Sequence, residues 1–136
     1  MLATIHSSTL DGIDGAPVAV EVHVANGLPA FSIVGLPDTS CREARDRVRA
    51  AIESSGLTWP LRRITVNLAP GGLRKVGAGL DLAMALAILA AAGQLPAESL
   101  VDLAAVGELG LDGTVRPVVG ILPLVDATPQ GLSLIH

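Results

Sequence analysis

Between residues 18 and 25 apolar and mixed positions alternate, with Val18, Val20, Val22 and Val24 on one side and Ala19, Glu21, His23 and Ala25 on the other. A period of two sends successive side chains to opposite faces, so this stretch predicts a half-buried strand. Residues 2–10 alternate more weakly and predict a first strand, which the turn residues from Asp11-Gly12 to Asp14-Gly15 join to the second as a hairpin. Asn26-Gly27 closes the second strand, and Phe31, Ile33 and Gly35 share a face of a third that stops at Pro37. The period then lengthens. Ala44, Val48, Ala51 and Ile52 recur at helical spacing as a buried stripe, while Arg42, Arg45, Asp46, Arg49 and Glu53 populate the outer one. Ser40-Cys41-Arg42-Glu43 fits a capping box at the start of this helix, and Ser55-Gly56 ends it.

The next stretch organises the rest. Ile64-Thr65-Val66-Asn67-Leu68-Ala69 predicts an apolar strand, and Pro70-Gly71-Gly72 begins a glycine-rich bend that runs to Gly79. Residues 80–92 then form a helix whose only charge is Asp81. A helix apolar on nearly all sides must be covered on nearly all sides, which makes it a core helix. Its length of about 20 Å is too short for a bilayer. Asp81 suits the positive end of the helix dipole, and Gly93 supplies a left-handed stop. Beyond it, Leu95-Pro96-Ala97-Glu98 predicts a loop and residues 101–109 a strand. Asp112-Gly113 makes a tight hairpin that returns through Val115-Arg116-Pro117-Val118, with the proline marking an edge. Val119-Gly120-Ile121-Leu122-Pro123 opens a last helix, which Thr128-Pro129-Gln130-Gly131 breaks within about a turn.

A chain of 136 residues, 50% hydrophobic, is enough for one domain with a core. Charged residues make up 16%, against roughly 25% in ordinary soluble proteins, which marks either surface covered by another domain or subunit or simply a small domain rich in Ala, Val and Leu. Cys41 is the single cysteine, excluding an internal disulfide, and no basic stretch leads into an apolar block at the start; a reducing cytoplasm is the expectation. The net charge of -4 hides an asymmetry: eight of nine basic residues lie in 42–75 against Glu43, Asp46 and Glu53, leaving Arg116 alone among ten acids elsewhere. Such a basic segment marks either a face for a polyanion or acidic partner, or a solvated helix face. With Phe31 and Trp59 the only aromatics, a base-stacking platform is not expected. His6 and His23 lack a carboxylate at ligand spacing, so no metal site is expected. Lys75 has no phosphate-loop run around it, so no nucleotide site is expected within this chain.

Three stretches together, Phe31-Ser32-Ile33-Val34-Gly35-Leu36-Pro37-Asp38, Ile64-Thr65-Val66-Asn67-Leu68-Ala69-Pro70, and Val106-Gly107-Glu108-Leu109 through Gly120, resemble the N-terminal domain of magnesium-chelatase-like AAA+ ATPases of the ComM/YifB type. The departures are Gly71-Gly72, where the family more often has Ala-Asp, and Val76, where an acid is usual. The resemblance covers residues 1–127. It implies an α/β two-layer sandwich similar to Lon-type proteolytic domains and to the second domain of a small-subunit ribosomal protein, with a mixed sheet and two main helices. Residues 128–136 are expected to be a non-native or disordered tail, because Leu132-Ser133-Leu134-Ile135-His136 matches the translation of a common transposase adapter.

A Lon-type peptidase has a serine in the glycine-rich bend and a lysine after the Val-Gly-Ile-like turn, and the resemblance places these at Gly79 and Leu122. Hydrolysis by that route needs a hydroxyl and a neighbouring amine. Neither side chain supplies one, so no catalytic residue is expected. What the resemblance implies instead is an accessory domain of a DNA branch-migration motor active in natural transformation. Its parent would use ATP and magnesium through an AAA+ module outside this chain, and would form a homo-oligomeric ring, a hexamer. No cofactor and no membrane are expected for the chain itself. Candidate DNA or partner contacts are Arg42, Arg45, Arg49, Arg62, Arg63, Arg74 and Lys75. The alternatives are a stand-alone Lon-like serine peptidase and an RNA-binding module.

Overall fold

A computed structural model describes residues 1–75, 78–118, 120–127 and 132–135. The chain folds as β1 (Leu2–Asp11), β2 (Asp14–Ala25), β3 (Ala30–Val34), α1 (Asp38–Ser54), β4 (Arg63–Ala69), α2 (Asp81–Ala91), a 3-10 turn (Ala97–Leu100), β5 (Leu103–Ala105), β6 (Glu108–Leu109), β7 (Val115–Arg116), α3 (Ile121–Asp126) and β8 (Ser133–Ile135). The first five strands and β8 form one mixed sheet in the order β3-β4-β2-β1-β5-β8, and β6 and β7 form a separate hairpin. This is the α/β two-layer arrangement expected, with α1 and α2 packed together over the sheet.

The alternating valines explain the layering. Val18, Val20, Val22 and Val24 are all buried, as are Ile64, Val66 and Leu68 of β4 and Ala3 and Ile5 of β1. β2 pairs antiparallel with β1 and with β4, and Val22 stands opposite both Ala3 and Val66, so their apolar faces coincide. α2 lies over β1 and β2. Every one of its residues except Leu86 is buried, which is why the sequence permits only one charge there. It ends where Gly93 adopts φ 83°, a left-handed conformation that glycine takes without a Cβ penalty. No helix among the described residues is long and apolar enough to cross a membrane.

β3, α1 and β4 form a strand-helix-strand unit, because β3 and β4 are parallel and α1 is the crossover between them. The N-cap of the helix lies at Pro37, three residues before the expected N-cap Ser40, leaving Ser40 inside the first turn. Pro37 holds the N-cap position in an extended conformation, no side chain caps the helix, and the Cys41 amide donates to the Pro37 carbonyl at 2.9 Å. A proline can occupy that position without losing a bond, and Asp38 supplies the acid of the first turn.

The expected strand over 101–109 is divided. Leu103–Ala105 pairs with β1, but the Gly107 amide donates to Gly79 and the Leu82 amide to Gly107, so the chain leaves the sheet to close over the start of α2. The expected loop at 95–98 turns into the 3-10 helix from Ala97. Ser133–Ile135 lies parallel to β5 as a strand, using main-chain groups on that strand's outer edge. The breaking residues 128–131, and residue 136, fall outside the described residues, as do Val76 and Gly77 of the bend.

Candidate functional site

Two places can be built from the residues upward: the pocket at the glycine bend, and the basic segment. At the first, the end of β1, the bend before α2, the start of β6, the residues Pro117 and Val118 after β7, and Leu124 of α3 line a cavity of about 190 Å³. Ser8, Thr9, Gly79 and Glu108 contribute to its wall. The Ser8 hydroxyl donates to the Leu124 carbonyl at 2.8 Å, which joins β1 to α3. A Cβ built on Gly79 would stand 3.3 Å from Val118 Cγ1, so the bend passes close against Val118 at the position where the resemblance puts a serine. The partner position, Leu122, lies in α3, and its side chain is outside the described residues.

Immediately beyond the bend, Asp81 is 1% exposed. Its carboxylate accepts from Arg47 Nε at 2.7 Å and Nη2 at 3.2 Å, and from the Leu109 amide at 3.2 Å. Burial pushes the Asp81 carboxyl above its ordinary range while the Arg47 bonds pull the other way, and the same carboxylate holds the Arg47 guanidinium above its usual value. Asp81 thereby joins α1, α2 and β6. Sequence reasoning missed Arg47. The signal was available: a lone carboxylate in an otherwise apolar buried helix requires a cation, and Arg47 borders the buried stripe of Ala44, Val48 and Ala51.

The basic segment does not form one surface. Arg42, Arg45 and Arg49 share the outer stripe of α1 with Asp38, Asp46 and Glu53, a pattern of alternating sign that compensates itself. Arg49 pairs with Glu53 at 2.8 Å and lies 5.4 Å from the ring centre of Trp59, which in turn packs against Phe31. Arg62 and Arg63 are exposed at the start of β4, and Arg74 is exposed in the bend past its far end. A strand of that length separates the two ends by about 20 Å. Lys75 is withdrawn from the candidate contacts. It is 2% exposed, and its ammonium donates to the carbonyls of Pro70 and Leu73 at 2.7 and 2.8 Å. Burial pushes its pKa down. A lysine surrounded by glycines in sequence looked solvent-facing; the carbonyls of its own loop hold it inside.

Among known proteins, a family model described as subunit ChlI of Mg-chelatase matches residues 20–133. The chain is 48% identical over 135 residues to the protein YifB of Salmonella typhimurium, covering 98% of this chain and 27% of the relative. It is 45% identical over 135 residues to YifB of Escherichia coli, with the same coverage. Competence protein ComM of Haemophilus influenzae is 44% identical over 129 residues, which are 95% of this chain and 25% of that protein. The chain thus spans about a quarter of the length of the curated relatives it matches. With the match running over residues 20–133, from within β2 to the start of β8, this chain belongs to the Mg-chelatase subunit ChlI family.

Proposed function

We propose that this chain is the accessory N-terminal domain of a ComM/YifB-like AAA+ ATPase, a non-catalytic part that contributes ring assembly or a contact with DNA. In this reading a module outside the chain hydrolyses ATP with magnesium in a homo-oligomeric ring, and the parent drives DNA branch migration in natural transformation. A cytoplasmic setting follows from it. The observation that carries the DNA contact is the run from residue 54 to residue 80, which holds the exposed Arg62, Arg63 and Arg74 and no carboxylate. The relative named as a competence protein lends weight to the same reading.

The test is made on the full-length protein. Replacing Arg62, Arg63 and Arg74 together by glutamine should weaken DNA binding and flatten the dependence of log K on log salt by about 2.7, at roughly 0.9 for each lost phosphate contact on duplex DNA. Unchanged affinity and slope would reassign these arginines to a protein contact. Incubation of the unmodified chain with a fluorogenic peptide is expected to give no turnover, and turnover would replace this reading with a peptidase.

A further inference from the structure

The loop that follows β4 is built around a charge that faces inward. The Leu73 amide donates to the Pro70 carbonyl at 3.3 Å, closing a turn over residues 70–73. Lys75 Nζ then donates to that same carbonyl and to the carbonyl of Leu73. A trans peptide unit is planar, with C=O and N–H pointing in opposite directions. Two carbonyls drawn onto the ammonium therefore turn the next two amides, Gly71 N–H and Arg74 N–H, outward. Neither amide meets an acceptor among the described residues. Gly71, Gly72 and Arg74 are all exposed, and a Cβ built on Gly71 or Gly72 would touch nothing within 4 Å, so the outer side of the loop is open. The flanking sequence has no carboxylate until Asp81, whose charge is already engaged by Arg47.

We propose that residues 70–75 are a phosphate-contact loop for a nucleic-acid backbone, in which Gly71 N–H, Arg74 N–H and the Arg74 guanidinium bind phosphate oxygens and Lys75 acts as a positioning residue. The proposal rests on the DNA reading above and names the element that makes the contact. Carbonyls that converge on one ammonium leave their amides diverging. They suit successive phosphates along a strand and cannot close around a single anion. Main-chain donors and a guanidinium that bind phosphate oxygens read no base edge, so the contact is independent of sequence.

Binding of a 20-base-pair duplex to the full-length protein, titrated with salt, tests this in separate arms. Gly71→Pro deletes one amide while keeping a residue suited to the second position of the turn, and should weaken binding roughly tenfold with the salt slope unchanged. Arg74→Gln should lower the slope by about 0.9. Lys75→Met should weaken binding even though Lys75 lies inside the loop, with protection of the α2 amides from hydrogen exchange showing that the core persists. Inorganic phosphate at the same phosphate concentration should compete poorly with the duplex. If the unmodified protein binds no DNA, the DNA reading itself fails. If it binds, and Arg62→Gln with Arg63→Gln weakens it while Gly71→Pro and Arg74→Gln bind as the parent does, the loop is not the contact and this inference is overturned. Full competition by inorganic phosphate would likewise overturn the assignment to a strand of phosphates.

Discussion

At the scale of single residues the molecule is governed by two buried ions that a pattern of charges cannot tell from surface ones. Asp81 and Arg47 form a bidentate pair with the carboxylate 1% exposed. Removing one partner of such a pair leaves an unpaired charge in the interior, so Arg47→Met should destabilise the fold by about 3–5 kcal/mol at neutral pH. The pH dependence follows from Asp81, whose pKa burial already raises in the folded chain. A folded pKa above the unfolded one contributes stability that is fully present below the unfolded pKa and is lost as pH rises through the folded pKa. The deficit of Arg47→Met, measured by urea unfolding, should therefore shrink as pH falls from neutrality toward the ordinary carboxylate range, and a deficit constant with pH would refute the account. Adding Asp81→Leu to it should recover part of the loss. Asp81 was legible as a dipole partner in the first turn of α2. Its need for a cation was legible too, but which arginine supplies it was settled only where α1 crosses α2, since the two residues are 34 positions apart. Lys75 was misread for a related reason: its partners are main-chain carbonyls, which leave no mark in the sequence.

At the scale of elements, periodicity was a good guide wherever one face is buried. β1, β4 and α2 match the expected stretches to within a residue, and the valines of β2 keep their expected face, since a slip of one position would carry all four to the wrong one. β2 itself begins at Asp14, four residues before the expected start, because the turn needs only Gly12 and Ile13 between the paired Asp11 and Asp14. Reading failed where main-chain bonding decides, at the Pro37 start of α1 and in the division of residues 101–109. α3 depends on close approach. A Cβ on Gly15 would clash with the Pro123 carbonyl and meet the Ala127 side chain at 2.8 Å, so this glycine is the seat of α3 against β2. Gly15→Ala should cost about 1–3 kcal/mol by overpacking. Amide exchange should show α3 losing protection before α2 does. Unchanged stability together with unchanged α3 protection would mean that α3 is seated elsewhere.

At the scale of the whole molecule, one contiguous apolar core joins β3, α1 and β4 to the rest, and Trp59 lies in that core. It is 9% exposed, 5.0 Å from Phe31 between ring centres, and lies beneath Arg49. Its fluorescence and the far-ultraviolet circular dichroism should follow a single urea transition, as expected for a domain of this size. An earlier loss of the tryptophan signal would show the β3, α1 and β4 unit unfolding by itself. By itself the amino-acid sequence determined the layers, the core helix and the family resemblance, because burial of apolar area is written in the spacing of side chains along the chain. Only the tertiary structure decided which charges face solvent. It separated Arg62 and Arg63 from Arg74 by the length of β4, balanced the α1 arginines against their own helix, and turned Lys75 inward. Charge has no direction until the backbone fixes one, whereas hydrophobic periodicity already carries its direction in the sequence.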